Sequence, residues 1–252
     1  MLPSSRLDCI GVGDAIWSDM GKIVKLTSRS QRDAAPSAPV VRGPNADRSA
    51  SMQQRLIDAA ITCLHTLGYA STTTQKIIDT AEVSRGAILH HYPNKVDLIL
   101  AAAEYSATFQ NDYVARRVQD FEPGMARYMA LTTATWEVIR QPPAQALLEI
   151  IMASRSDPVL AERLPPVIAK FEADQRAGVW RMASKLGIRN RAKLTTMSRL
   201  HVAAMRGIAI ELRWSGDEKA AGESMRLLNH YKEQITSELL AEGHEAESKP
   251  TR

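Results

Sequence analysis

The segment from Thr72 to Ile99 constrains the fold more than any other part of this chain, because its local signals predict two very short helices joined by a tight turn. Ser84 can accept a hydrogen bond from the free amides that begin the second helix. Pro93 ends that helix, since the residue before a proline avoids the helical region. Helices of roughly two turns are not stable alone in water, so a further helix must support them.

The supporting helix is predicted immediately upstream. A capping box of Ser51 and Gln54 marks its start, and Gly68 marks its end. Its buried face is predicted from apolar residues at helical spacing, namely Leu56, Ile57, Ala60, Ile61, Leu64 and Leu67. A second capping box, Thr72 with Gln75, starts the first short helix. That helix is expected to bury Ile77, Ile78 and Ala81.

The second short helix, from about Arg85 to His91, has Ile88 as its one clear core anchor, so most of its surface is left for an outside partner. Arg85 begins the helix, and polar side chains continue through His90 to Tyr92. A DNA major groove accepts a single helix that projects such groups. The pattern predicts a helix-turn-helix at about residues 73–92, within a DNA-binding domain of residues 49–100. Taken alone, such a helix more often carries a solvated arginine and histidines that merely cap its end.

The same stretch resembles the helix-turn-helix of the TetR family of bacterial transcriptional repressors. The matching residues are Gly68, Tyr69, Thr73, Thr74, Ile77, Ala81, Val83, Ser84, Arg85, Gly86, His90, His91, Tyr92, Asn94, Lys95 and Leu98. Three positions depart from the family pattern, because Glu82 replaces a usual glycine, Ile78 a usual alanine and Leu89 a common tyrosine. If residue 82 has a left-handed backbone, glutamate costs about 1 kcal/mol there.

The resemblance implies a homodimer that binds double-stranded operator DNA. Arg85 and Ala87 would contact base edges, because arginine suits a bidentate contact with guanine. Thr73 or Thr74, together with Lys95, would bind phosphates near helix starts. The full set of expected DNA-binding residues is Thr73, Thr74, Ser84, Arg85, Gly86, Ala87, Leu89, His90, His91, Tyr92 and Lys95.

Charge limits the DNA affinity expected of one such domain. Between Ser49 and Leu100 the chain has four basic and four acidic residues, so a single domain should bind phosphates weakly. Residues 1–48 have seven basic and five acidic residues and no helical stripe of useful length, which predicts a disordered arm that reaches DNA. The alternative is that translation starts at Met20 or Met52. No apolar stretch follows the N-terminal charges, so we expect no secretory signal, no membrane partner and a cytoplasmic location.

From residue 101 to 243 every pattern is helical, which predicts a helical effector-binding and dimerisation domain, followed by a disordered tail at 244–252. Helix starts are predicted at Pro142, Asp157, Pro165, Asn190 and Asp217. The expected dimer faces are Leu200, Ala203, Ala204, Gly207 and Ile210 on one helix, and Ala221, Ser224, Leu228, Tyr231 and Ile235 on the next. The alternative is that both faces complete the core of the monomer.

The intervening helices are expected to enclose a small apolar effector, since methionine and aromatic side chains line adaptable cavities. The candidate ligand-binding residues are Met125, Tyr128, Met129, Trp136, Met152, Trp180, Met197 and His201. Tyr128 and His201 would supply the polar contacts. Each of these residues taken singly is more typical of an ordinary core.

Together the patterns predict an all-α, ligand-responsive repressor that binds a palindromic operator as a homodimer and is released by its effector. The sequence has no nucleophile elbow, phosphate loop or zinc-protease motif, so neither an enzyme nor a cofactor is expected. Adjacent His90 and His91 point to different sides of a helix, which argues against a shared metal. Two alternatives stay open, a transcriptional activator and a helical scaffold protein without DNA binding, the latter favoured by Glu82 and the neutral domain.

Overall fold

The computed structural model describes residues 44–248, with side chains between Arg48 and His244. Within this range all regular structure is helical, as predicted. The α-helices are α1 (Pro44–Ser71), α2 (Thr74–Ala81), α3 (Arg85–His91), α4 (Lys95–Arg117), α5 (Met125–Met129), α6 (Leu131–Ile139), α7 (Pro142–Ala153), α8 (Pro158–Arg163), α9 (Pro165–Lys185), α10 (Arg191–Ser215) and α11 (Glu218–Ser248). A 3-10 turn, Val118–Asp120, follows α4.

Helix α1 begins earlier than predicted. It starts at Pro44, so Ser51 lies inside the helix and is not its N-cap. Proline suits a first helical turn, and no residue between Pro44 and Ser51 interrupts a helix. The prediction of disorder is therefore wrong for residues 44–48, while residues 1–43 lie outside the described part of the chain. Gly68 interrupts the helix as expected, with φ of 73° and ψ of 171°.

The N-cap of α2 is Thr73 rather than the predicted Thr72. The Thr73 hydroxyl accepts a hydrogen bond from the amide of Lys76 at 3.2 Å. The Thr72 side chain is fully buried instead, and its hydroxyl donates to the carbonyl oxygen of Gly68 at 2.7 Å. The predicted capping box of Thr72 and Gln75 is wrong because consecutive threonines offer the same hydroxyl, and burial of Thr72 leaves the cap to its neighbour.

Helices α1–α4 share one hydrophobic core with α7–α9. The buried side chains that join them include Leu56, Ile77, Ile88, Leu98, Leu147, Ile150 and Leu160. Ile77, Ile78 and Ala81 of α2 are buried as predicted, whereas Leu67, at the end of the predicted stripe, is 44% exposed. The two short helices therefore owe their stability to packing against α1 and α4, as helices of that length require.

The stripe predicted between Met125 and Ile139 forms two helices rather than one, because α5 ends and α6 begins on either side of Ala130. Helix α7 begins at Pro142 and α9 at Pro165, as predicted. None of the helices between residues 44 and 248 is long and apolar enough to cross a lipid bilayer.

Helices α10 and α11 pack against each other at the C-terminal end of the chain. Asn190 caps α10 and Asp217 begins α11, as predicted. Helix α11 continues past Gly243 to Ser248, so the predicted tail is wrong for residues 244–248, and residues 249–252 lie outside the described range. A Cβ on Gly243 would overlap the carbonyl oxygen of Gly187, so this glycine permits close approach of α11 to the end of α9.

Candidate functional site

The turn between α2 and α3 holds Glu82 in the left-handed region, with φ of 51° and ψ of 50°. Among the described residues no other non-glycine residue has a positive φ. The Arg55 guanidinium donates from Nη2 to the carbonyl oxygens of Ala81 at 2.6 Å and of Glu82 at 3.3 Å. Arg55 therefore satisfies acceptors that the end of α2 leaves open, and it fixes the turn rather than meeting a phosphate.

Helix α3 is held by a cap and a single anchor, as the sequence predicted. The Ser84 hydroxyl accepts a hydrogen bond from the amide of Ala87 at 3.3 Å. Ile88 is 3% exposed, whereas its neighbour Leu89 is 52% exposed. Arg85 is exposed as well. The helix thus has one side chain firmly in the core and offers the rest of its surface to a partner.

Lys95 is less available than the sequence suggested. Its Nζ donates to the carbonyl oxygen of Tyr69 at 3.3 Å and lies 4.1 Å from the centroid of the Tyr69 ring. Burial lowers the pKa of this ammonium. The Lys95 side chain therefore ties the start of α4 to α1 in this structure, and a phosphate contact from its ammonium would compete with that tie.

Five of the predicted DNA-binding residues come together in one shallow depression. They are Thr74, Arg85, Leu89, Tyr92 and Lys95, and the floor includes Ile77 and Ile88. Thr73 and Ser84 act as N-caps, so their hydroxyls already accept hydrogen bonds within their own helices. The His90 and His91 rings meet edge to face with centroids 5.0 Å apart. Within the described residues no group of histidine, cysteine and carboxylate side chains is arranged to hold a metal ion.

The positive charge available to DNA is small. Of the four basic residues between Ser49 and Leu100, Arg55 and Lys95 hold backbone carbonyl groups, while Lys76 and Arg85 are exposed. Lys76 lies in the first turn of α2, beside the Thr73 cap, and sequence reasoning omitted it. Lys76 lies three residues after an N-cap, and this position could have predicted a phosphate contact, because helix starts attract phosphate.

The family comparison bears on this same region. Residues 56–102 match the model of a family described as bacterial regulatory proteins, tetR family. The match contains α2, the Glu82 turn and α3 in full. Residues 56–102 therefore form a region of the TetR type.

Curated relatives match part of the length of this chain. It is 28% identical over 129 residues to the HTH-type transcriptional regulator CymR of Pseudomonas putida, covering 51% of this chain and 64% of that protein. It is 32% identical over 111 residues to the HTH-type transcriptional repressor AcnR of Corynebacterium diphtheriae, covering 44% and 54%. The chain therefore spans between half and two thirds of the length of these relatives.

Solved structures share the fold of this chain. Salmonella enterica GusR aligns with a TM-score of 0.56 at 22% identity, covering 81% of this chain and 100% of that one. A TetR family transcription regulator from Marinobacter aquaeolei VT8 aligns with a TM-score of 0.57 at 12% identity, covering 73% and 96%. The likeness is one of fold, and it extends well beyond the helix-turn-helix.

The predicted effector residues are only partly brought together. Tyr128, Met129, Trp180 and Met197 share one apolar cluster of the helical domain. Trp136 belongs to a separate cluster between α6, α10 and α11. Met125 and Met152 are 40% and 59% exposed, so their assignment to an enclosed pocket is wrong. Each of these two helices has more apolar residues than core-facing positions. Apolar periodicity alone therefore could not show that these methionines are exposed.

Beside the Tyr128 cluster lies a polar cluster that we define as Tyr128, Thr132, His201, Lys232 and Thr236, all of them buried. Lys232 Nζ donates to the carbonyl oxygens of Tyr128 at 2.8 Å and Met129 at 3.2 Å, and to Thr132 Oγ1 at 3.2 Å. Thr132 Oγ1 lies 2.9 Å from His201 Nε2. Of these, sequence reasoning had assigned ligand roles only to Tyr128 and His201.

Burial dominates the electrostatics of this polar cluster. It lowers the pKa of Lys232 to about 7. Burial, with the nearby Lys232 charge, lowers the pKa of His201 to about 4. His201 is therefore neutral near pH 7, while the ammonium of Lys232 is held in a site that disfavours its charge. The signal that sequence reasoning missed was a lysine within the apolar stripe of α11, four residues after Leu228 and seven before Leu239.

Polar contacts connect the helix-turn-helix region to α8. The Tyr69 hydroxyl donates to the Asp157 carboxylate, which also caps α8. That hydrogen bond holds the pKa of Asp157 below its usual value. Arg163, at the end of α8, forms a 2.8 Å ion pair with Asp97 in the first turn of α4. A displacement of α8 would therefore pull on both α1 and α4.

Proposed function

We propose that this chain is a homodimeric, DNA-binding transcription regulator that acts as a repressor and is released from its operator by a small-molecule effector. The observation that carries the proposal is the exposure of α3, in which Ile88 is buried while Arg85, Leu89 and His90 are open to a partner. The relatives support it, since CymR is a transcriptional regulator and AcnR a transcriptional repressor.

In this proposal α3 lies in the major groove and its first turn reads base edges. Arg85 is the residue best suited to a bidentate contact with guanine, and Leu89 is placed for apolar contact with a thymine methyl group. The starts of α2 and α4 would contact the phosphates on either side through Thr74 and Lys76 and through the backbone at Lys95. One domain supplies few charges, so two copies are required for useful affinity.

The second copy would pack on an exposed apolar stripe of α10. Its members are Leu200, Ala203, Gly207, Ile210 and Trp214, spaced alternately by three and four residues, and all are exposed in the single chain. Leu200, Ile210 and Trp214 are 68%, 51% and 77% exposed. Such a row of exposed apolar side chains marks an interaction surface, and a two-fold axis would pair it with itself.

The contribution of α11 differs from the predicted one. Ala221 is buried in the single chain, and Leu228 and Ile235 pack against its own apolar clusters, so these three complete the monomer core. Tyr231, a member of the predicted face, is 52% exposed and would stay in the interface, and Leu227, 53% exposed, would join it. The error has a simple cause, because a helix with apolar residues on two sides does not reveal which side meets its own chain.

Effector release would pass through α7 and α8. Helix α4 packs closely on α7, and the Tyr69–Asp157 and Asp97–Arg163 contacts join α8 to the DNA-binding region. An effector that prefers a shifted position of these helices would change the spacing of the two α3 helices and so lower the operator-bound population.

Electrophoretic shift with the DNA upstream of the chain's own gene tests the proposal. We expect Arg85→Ala to lose about 1–3 kcal/mol of binding and to relax base preference, while Lys76→Ala weakens binding to all sequences and reduces the salt dependence. Lys170→Ala, an exposed lysine of α9, is the matched control and should bind like the unaltered chain.

A scaffold role would give a different result. The unaltered chain would then retard no fragment at low salt, and Arg85→Ala would change nothing. Equal loss of affinity for Arg85→Ala and Lys170→Ala would likewise contradict the assignment of α3 as the recognition helix.

A further inference from the structure

We propose that the polar cluster defined above binds the carboxylate of a small organic acid whose apolar body lies against Tyr128, Trp180 and Met197. The inference deepens the proposed function by naming the class of effector, and it rests on that function only for the claim that the acid releases DNA. The binding site itself involves only residues of α5, α6, α9, α10 and α11.

Lys232 is a buried cation without a carboxylate partner in the described part of the chain. Its side chain is 4% exposed, and among the described residues no carboxylate lies within ion-pair distance of Nζ. Its three N–H donors go to two carbonyl oxygens and one hydroxyl, and Nζ lies 4.6 Å from the centroid of the Tyr128 ring, but none of these groups carries a formal charge. Buried charges in proteins are ordinarily paired, so an anion bound beside Lys232 would stabilise its charged form.

The direction of the hydrogen bonds from Lys232 is fixed. An ammonium can only donate, so Thr132 Oγ1 accepts from Lys232, and its second contact is with His201 Nε2 at 2.9 Å. Thr132 and His201 are thus engaged with each other, and the unpartnered hydroxyls of the cluster are better placed to donate to a ligand.

Two buried hydroxyls of the cluster lack hydrogen-bond partners. The Tyr128 Oη and Thr236 Oγ1 atoms are both buried and unpaired. Burial raises the pKa of Tyr128, and the nearby Thr236 hydroxyl lowers it, yet the two oxygens do not reach hydrogen-bond geometry. Thr236 lies one turn after Lys232 on the same face of α11. A carboxylate, which only accepts hydrogen bonds, would bind two such O–H donors beside the ammonium.

The surrounding surface specifies the rest of the ligand. Tyr128 and Met197 are buried members of the adjoining apolar cluster, and Met129 and Trp180 pack against it. Aromatic and methionine side chains suit an aromatic or short aliphatic body. A cationic ligand is disfavoured because it would meet Lys232, and a neutral amide would leave the charge unpaired.

A purely structural role for Lys232 is the competing explanation, since it binds the carbonyl groups where α5 ends. Tyr128→Phe and Thr236→Val separate the two explanations, because each removes an unpartnered buried hydroxyl without touching those bonds. Removing such a group leaves the ligand-free stability unchanged or higher. The same substitutions should weaken acid binding about 5- to 10-fold each, the value of one lost hydrogen bond.

The experiment uses the full chain without DNA. Benzoate, cyclohexanecarboxylate and octanoate are compared with benzamide, cyclohexanecarboxamide and octanamide by thermal shift and titration calorimetry. At a concentration that saturates the site, we expect one acid to raise Tm on the order of 5 °C while its amide does not. Lys232→Met should abolish the shift, and Lys219→Met, an exposed lysine at the start of α11, should retain it.

The binding site would be overturned if none of the acids shifts Tm, if the amides bind as well as the acids, or if Tyr128→Phe and Thr236→Val bind like the unaltered chain. DNA binding is then measured separately with the acid that bound. If the acid binds but DNA affinity does not change, the effector role alone is contradicted. If the chain binds no DNA even without acid, the proposed function is contradicted instead.

Discussion

Helices α3 and α11 use polar side chains in opposite ways. Helix α3 has 7 residues, buries Ile88 and exposes its polar groups, whereas α11 has 31 residues and turns Lys232 and Thr236 into the protein. Exposed donors on a short supported helix suit a large rigid partner, and buried donors within long helices suit a small enclosed one. On the proposed function, DNA and effector would therefore bind different regions of the chain.

The largest effect on stability is expected at Ile88, the residue that anchors α3 in the core. Ile88→Ala should lower the free energy of unfolding by about 2–5 kcal/mol, because it removes the only fully buried side chain of the helix. Leu89→Ala, at the next and half-exposed position, should change stability by less than about 0.5 kcal/mol. Urea denaturation of both variants measures the free energy of unfolding. Similar decreases for the two variants would contradict the role of Ile88 as the single core residue of α3.

The next effect concerns the buried charge of α11. Because the folded pKa of Lys232 is about 7 and its ordinary value is 10.5, the unfolded chain binds more protons between these pH values. Stability attributable to this group should therefore rise as pH increases from 7 to 10.5, on the order of a few kcal/mol across the interval, and be constant below it.

Lys232→Met should remove this rise, while Lys219→Met should keep it. The measurement is the urea midpoint of each variant relative to the unaltered chain at several pH values. An identical pH profile for Lys232→Met and the unaltered chain would contradict the burial of an uncompensated ammonium.

The smallest effect concerns the turn that orients α3. Glu82→Gly should stabilise the fold by about 1 kcal/mol, since the backbone there is left-handed and glycine adopts that region without a Cβ penalty. Glu122→Gly is the matched control, because Glu122 has a negative φ and glycine there only adds freedom to the unfolded chain. Thermal unfolding of both variants measures the difference, and a lower Tm for Glu82→Gly would contradict strain in the turn.

The two regions also differ in how well sequence predicted them. Local signals identified α3 almost completely, because Ser84, Pro93 and Asn94 act on the residues beside them. The N-cap of α2 was assigned to Thr72 instead of Thr73, because local signals do not show that Thr72 is buried and bonded to the carbonyl oxygen of Gly68. Resemblance supplied the DNA-contact roles, but it did not reveal that Lys95 is held by Tyr69.

The sequence predicted the helices of the C-terminal domain but not how their side chains are arranged into a candidate site. Prolines and caps gave the boundaries of α7, α8, α9 and α10, since these too are local signals. Which side of α11 meets its own core depends on packing between residues more than a hundred positions apart, as in the 2.8 Å bond from Lys232 to Tyr128. Apolar periodicity therefore assigned Leu228 and Ile235 to the dimer and overlooked Lys232.

Selection of bound sequences from a pool of random duplex DNA tests the central claim most directly, because it requires no knowledge of the operator. With the unaltered chain we predict enrichment of a palindrome whose half-sites are spaced for two α3 helices, about 34–36 Å or a multiple apart. Selection with Arg85→Ala should lose the guanine preference within each half-site. Failure of the unaltered chain to enrich any sequence, or enrichment of a site without two-fold symmetry, would contradict paired recognition by α3.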